Sequence, residues 1–214
     1  MTNTATDTAI PALVITDARV HVSPEHVRTG DLATEGGRIV ARAAPDPIRI
    51  DGSGASVVPL LVDTVFDEAE PPASDAFDLV PGNPASFALV AGSVSASSIR
   101  HQLVVHPRQL RAVVVDGAVL VRDGVPVRPE DEGSGVSADG RLGAYRDTIR
   151  DMTQHLLSNG RYTETRGGRR DAYTGRYWID GDRVTYLDDT GFWAFGQFHG
   201  DVLHHAGFVL RPVH

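Results

Sequence analysis

The chain has 214 residues and a formal net charge of -8, contains no cysteine, and draws all 20 of its basic residues from arginine. That length suits one or two domains of roughly 100–150 residues and falls short of the ~250 residues of a (β/α)8 barrel. The missing cysteine excludes disulfides, thiolate nucleophiles and cysteine-bound metals, the missing lysine excludes Schiff-base and phosphate-loop chemistry, and the acidic balance argues against nucleic-acid binding. No apolar run reaches ~18 residues, so no membrane span is expected. The stretch Met1–Ala9 lacks the basic start of a secretory signal, so a cytoplasmic location is expected.

From the N-terminus, short valine-rich strands are expected at Leu13–Thr16, Ala18–Val22, Arg38–Ala41, Ile48–Ile50 and Ser56–Val58. After an acidic, proline-bearing stretch from Asp63 to Pro84, read as a solvated loop, further strands are expected at Phe87–Val90, Leu110–Val115 and Ala118–Val121. This spacing suggests a β-sandwich, and Asp116-Gly117 marks a hairpin because glycine accepts the positive φ of a type I′ turn. An acidic Gly/Ser segment then follows. It divides the chain into a tail at residues 1–10, an N-terminal domain at 11–128, a linker at 129–140 and a C-terminal domain at 141–214. Of the 28 acids and 20 arginines, 18 acids and 10 arginines precede residue 139, so the N-terminal part carries the whole excess charge. Eleven of the 14 aromatic residues lie beyond it.

The C-terminal part reads as an antiparallel meander. Met152–Ser158 and Arg161–Arg166 flank Asn159-Gly160, Ala172–Ile179 and Arg183–Leu187 flank Asp180-Gly181, and Phe192–Phe198 and Val202–Leu210 follow. Many strands with tight turns in so short a segment suit a small closed barrel able to hold one ligand. The stretch Tyr145–Leu157 is also compatible with a helical start.

Both halves carry family resemblances. Leu13–Val20, Gly30-Asp31-Leu32-Ala33, Gly37–Val40, Ile50-Asp51-Gly52, Val58–Asp63, Pro81–Val90 and Arg111–Gly117, in that order, resemble the composite β-sandwich of the metal-dependent amidohydrolases, in particular the cytosine-deaminase-like branch. In that family the strand ending in Val-Asp enters a catalytic barrel and carries a His-x-His metal pair; here the corresponding positions are Val65 and Asp67, and the space between the sandwich halves is too short for the barrel. The resemblance therefore implies a sandwich without its catalytic domain, and a metal-dependent hydrolase of C–N bonds stands as an alternative resting on it alone. Leu157–Tyr162, Glu164, Arg166-Gly167, Arg169-Arg170, Ala172–Tyr177, Tyr186–Phe192 and Leu203–Gly207 resemble a family of small streptavidin-like (lipocalin-like) barrels thought to bind a small ligand. The expected fold class is all-β, an amidohydrolase-type sandwich followed by an antiparallel streptavidin-like barrel.

Arg166, Arg169 and Arg176 are candidates to orient a ligand, with Tyr173 and Trp193 as walls, because arginine presents a planar donor fork to carboxylate or phosphate. These arginines, together with Arg161 and Arg170 of the same segment, can instead pair across the sheet with Glu164, Asp171, Asp188 and Asp189. Period two places Tyr173, Gly175, Tyr177 and Ile179 on one strand face and Ala172, Thr174, Arg176 and Trp178 on the other. It also sets His204 and His205 on opposite faces, so the pair cannot chelate one metal. His204, Asp188 and Tyr186 are the candidates for proton transfer. The expected function is small-molecule binding, or a cofactor-free cyclase or isomerase, acting on an anionic or oxygen-rich ligand in the C-terminal barrel. No metal, cofactor, nucleic acid or membrane is expected to take part, and the sandwich would be a scaffold or homodimer surface. A purely structural interaction module is the outcome expected if the barrel centre is filled.

Overall fold

The structure is a computed structural model describing residues 10–60, 77–100, 103–127 and 141–213. The N-terminal elements are β1 (Leu13–His21), β2 (Val27–Glu35), β3 (Arg38–Val40), β4 (Ile48–Asp51), β5 (Ala55–Pro59), β6 (Phe87–Ala91), helix α1 (Ala96–Arg100), β7 (Val104–Val105), β8 (Leu110–Val115), β9 (Ala118–Arg122) and β10 (Val125–Pro126). Nine of these strands form one hydrogen-bonded sheet in the order β10-β9-β8-β6-β5-β1-β2-β3, with β4 also paired to β1. The two segments expected at Leu13–Thr16 and Ala18–Val22 are one strand interrupted by a bulge, where Asp17 takes a φ of 53°. The bulge divides the strand's parallel partners: Leu13–Thr16 pairs β4, and Arg19-Val20 pairs β5. β2 was not anticipated, because Val27–Asp31 is exposed and carries no alternation. Asp116 and Gly117 have φ values of 46° and 84°, the signs a type I′ turn requires.

Period-two alternation sends the apolar side chains of this sheet to both faces. Ile15, Val20, Leu32, Val57, Phe87, Leu89 and Val114 build one buried cluster. Val58, Ala88, Val90, Val113, Val115 and Val121 belong to another, which also contains Trp178, Trp193 and Phe195 from the C-terminal part. The two halves therefore share a core.

The C-terminal strands are β11 (Gly143–Asp147), β12 (Met152–Leu156), β13 (Arg161–Arg166), β14 (Arg169–Asp180), β15 (Arg183–Asp188), β16 (Trp193–His199), β17 (Val202–His205) and β18 (Phe208–Pro212). Each is antiparallel to the next and β18 pairs β11, closing an eight-stranded barrel. The stretch open to a helical reading is the β11–β12 hairpin. The single strand expected over Val202–Leu210 is split by Ala206-Gly207, at φ values of 48° and 82°. Closure leaves this sheet without free edge strands except at the start of β16, which β17 does not reach and where β7 pairs instead.

Inside the barrel, Tyr145, Met152, Leu156, Tyr162, Tyr177, Tyr186, Phe198, Leu203 and Leu210 fill the axis. Tyr177 donates to the Leu157 carbonyl at 2.7 Å, and burial pushes its hydroxyl up to about 12. Gly175 makes room for this packing. A Cβ there would overlap the Leu187 carbonyl oxygen and sit 2.6 Å from Asp188 Cα and 2.8 Å from the Tyr162 ring. Two of those three contacts are backbone and cannot rotate away. Gly175→Ala is thus expected to destabilise the protein by about 1–3 kcal/mol or more, as overpacked cores do, read as a lowered denaturation midpoint in urea. An unchanged midpoint would show that β14 and β15 can separate freely.

Candidate functional site

One mouth of the barrel opens into a cleft of about 360 Å3, lined by Tyr162, Glu164, Arg166, Tyr173, Asp188, Thr190, Phe192, Ala194, His205, Ala206, Phe208 and Val104. Strand alternation explains its lining. Tyr162, Glu164 and Arg166 are the inward positions of β13, His205 is the inward position at the end of β17, and Asp188 that of β15. Val104 arrives from the other half of the chain, where β7 pairs with Trp193 and Ala194 at the start of β16. The His106 ring meets Phe192 edge-on at 5.1 Å, fixing this strap to the rim.

Beneath the cleft lies a buried polar network. Glu164 is 1% exposed; its Oε1 accepts from Gln154 Nε2 at 3.0 Å and its Oε2 accepts from Arg166 Nε at 2.8 Å. Tyr186 donates to Gln154 Oε1 at 2.9 Å, which fixes the amide so that its nitrogen faces the carboxylate. The His205 Nδ1 lies 3.2 Å from the Phe195 carbonyl oxygen. A carbonyl can only accept, so Nδ1 bears a proton, and Nε2, 3.5 Å from Glu164 Oε1, is the position where a proton can be exchanged. Burial pushes the Glu164 carboxyl up, but the hydrogen bond and charge of His205 and those of Arg166 outweigh it and hold the group below its ordinary value. Burial, reinforced by Glu164, raises the Tyr186 and Tyr162 hydroxyls far enough to keep them protonated donors.

Arg166 stands between this network and the opening. Its guanidinium carbon is 4.5 Å from the Tyr173 ring centroid and 5.0 Å from that of Phe208. Asp188 Oδ1 accepts from the backbone of Thr190 and Phe192 at 2.8 and 3.0 Å and from the Thr190 hydroxyl at 2.6 Å, tying down the turn that presents Phe192.

Of the residues singled out from the sequence, Arg166, Tyr173 and Asp188 line the cleft, and Tyr186 lies below it as a support for Gln154. His204 is 1% exposed on the face of β17 opposite His205, away from the cleft. Trp193 points outward from the barrel, fully buried and stacked on Trp178 at 6.0 Å between ring centroids. Arg176 lies on that outer face, its guanidinium 5.9 Å from the Trp178 ring, and Arg169 is exposed at the start of β14. Arg161 pairs with Asp189 and Arg166 with Glu164, two of the pairings that the sequence offered as the alternative to ligand binding. Glu164 and Gln154 were not chosen, although two-residue spacing from Tyr162 and Arg166 already put Glu164 on their face. Val65 and Asp67 lie outside the described residues. Among the described residues no three His, Asp or Glu side chains are grouped to hold a metal ion, and no helix is long and apolar enough to cross a membrane.

Two other depressions are as large. One of about 410 Å3 beside the β11–β12 turn contains Asp147, whose carboxylate is occupied by the amides of Ile149, Arg150 and Val209. Another of about 580 Å3 on β2 and β3 has exposed Arg28 and Asp31 and no buried ionisable group.

Residues 138–212 match the family described as Agrobacterium tumefaciens protein Atu4866. The solution structure of the protein Atu4866 from Agrobacterium tumefaciens aligns at 44% sequence identity, covering 33% of this chain and 90% of that one, with a TM-score of 0.31. The C-terminal part of this chain belongs to the Atu4866 family. No curated protein matches the chain. The Atu4866 region contains every cleft residue named above except Val104, so the rim strap is an addition made by the N-terminal half.

Proposed function

We propose that the mouth of the Atu4866-type barrel binds a small molecule and that Glu164 and His205 exchange a proton with it, chemistry suited to a cofactor-free isomerase or cyclase. The observation that carries this reading is a buried carboxylate, held by Gln154 and Arg166 and facing the Nε2 of His205, at the base of an open cleft of about 360 Å3. Buried ionisable groups whose titration is shifted by burial and a charge partner cluster at functional clefts, and pockets of roughly 300–1,000 Å3 are the usual size for small ligands. Tyr173 would wall the ligand, Asp188 would meet it at the rim, and Arg166 would hold Glu164 in place beneath. In this reading the N-terminal strands, by the residues quoted above an amidohydrolase-type sandwich, are a scaffold that delivers β7 to the rim.

A fragment screen followed by amide chemical shifts tests this. Compounds that bind are expected to move the resonances of Glu164, Ala194, His205 and Ala206, and Val104→Trp, which fills the cleft from its exposed wall, is expected to remove those shifts while leaving the thermal midpoint within a few degrees. Shifts that map elsewhere, or that survive Val104→Trp, contradict the reading. They would favour an interaction module, which the filled barrel axis suits.

A further inference from the structure

We propose that the ligand of this cleft is a planar nitrogen compound offering N–H donors, an amidine or a protonated heteroaromatic amine, rather than an anion; the inference rests on the cleft being the binding site. The arginine that would greet an anion is already engaged. Two of the guanidinium nitrogens of Arg166, Nε and Nη2, are turned to Glu164 Oε2 at 2.8 and 2.7 Å, and Tyr173 and Phe208 flank the group. An acceptor without a partner faces the open volume. Asp188 uses Oδ1 for the turn at Thr190 and Phe192, and its Oδ2 has no hydrogen-bond partner among the described residues. Glu164 lies deeper, and its charge is matched by Arg166, so the Asp188 carboxylate is the negative group presented to the open volume.

The walls set the shape. Tyr173, Phe192 and Phe208 bring ring surfaces to the opening, and aromatic surfaces attract flat cations through the ring quadrupole. The protein already shows this mode of recognition, since the flat cation of Arg166 sits between two rings against a carboxylate. A ligand cation beside Phe192 with its N–H groups on Asp188 Oδ2 would repeat the same contacts one layer further out. Its charge-assisted hydrogen bond to Asp188 is of the kind that distinguishes a donor from an acceptor of the same size.

Benzamidine and benzoate share a ring and differ in the sign of their planar charged group, so the pair separates the possibilities. In an amide chemical-shift titration of the full chain, benzamidine is expected to move the cleft resonances with a Kd at least about tenfold below that of benzoate, the factor expected from one charge-assisted contact. Asp188→Asn is expected to raise the benzamidine Kd by about tenfold and leave benzoate unchanged. Because that substitution also touches the turn, the salt dependence of the unmodified protein is a second readout: added sodium chloride should weaken benzamidine binding and leave that of neutral benzyl alcohol unaltered. Benzoate binding in the cleft as tightly as benzamidine, or benzamidine binding indifferent to salt, overturns the ligand class and leaves the cleft as a site. Neither compound moving the cleft resonances overturns both.

Discussion

Glu164→Ala is expected to lower stability by about 3–5 kcal/mol, the usual consequence of removing one partner from a buried ion pair. The carboxylate receives Gln154 Nε2, Arg166 Nε and the Nε2 face of His205, so its loss leaves an amide, a guanidinium and an imidazole around an empty centre. For a chain of this size, roughly 2–4 °C per kcal/mol converts this to a fall of about 6–20 °C in the thermal midpoint. A fall corresponding to under about 1 kcal/mol would show that Glu164 behaves as an ordinary surface carboxylate. The pH dependence gives a second handle. The folded state holds the Glu164 carboxyl below its ordinary value, so the unfolded chain takes up the proton first as the solution is acidified. The stabilisation is thus complete above the unfolded value of about 4.3 and is lost as pH falls through the folded one. Glu164→Gln removes this contribution, and the stability gap between it and the parent protein is expected to narrow below about pH 4.5.

Trp193→Ala is expected to cost about 3–5 kcal/mol, the range for truncating a fully buried large aromatic. The reason lies between the halves, outside the cleft. Trp193 stacks on Trp178 and shares a buried cluster with Val113, Val115 and Val121 of the N-terminal sheet. Its loss should therefore lower hydrogen-exchange protection in both β8 and β16. Protection lost in β16 alone would mean that the two halves are energetically independent. Tyr173→Ala is the contrast. That side chain is 46% exposed at the rim, and its removal should change stability by less than about 1 kcal/mol while weakening ligand binding.

Much of this fold was legible in the residues. The Asp116-Gly117 turn follows from glycine conformation, the grouping of Tyr173, Gly175 and Tyr177 on one face of β14 follows from period two, and the meander of turns pointed to a barrel. What local pattern could not supply was direction. Trp193 and Phe195 read equally well as lining or as outer surface, because the apolar partner that covers them lies some 80 residues away in the chain. The same ambiguity sent attention to His204 rather than His205: they are neighbours on β17, and only the closed barrel decides which one faces Glu164. β7 was invisible for a related reason. Two residues carry no period, and Val104 reaches the rim only because the start of β16 has an unpaired edge next to it. Of the other N-terminal strands, β2 and β10 escaped the pattern, and β1, one strand bent at Asp17, read as two separate runs. A bulge leaves little trace in composition.

Native mass spectrometry of the protein purified from its own host tests most directly whether the barrel mouth is a small-molecule site. One small molecule per chain is expected on the parent protein and none on Val104→Trp, with both proteins folded. A parent protein that carries no molecule, or a Val104→Trp variant that retains it, would contradict the assignment of function to this cleft.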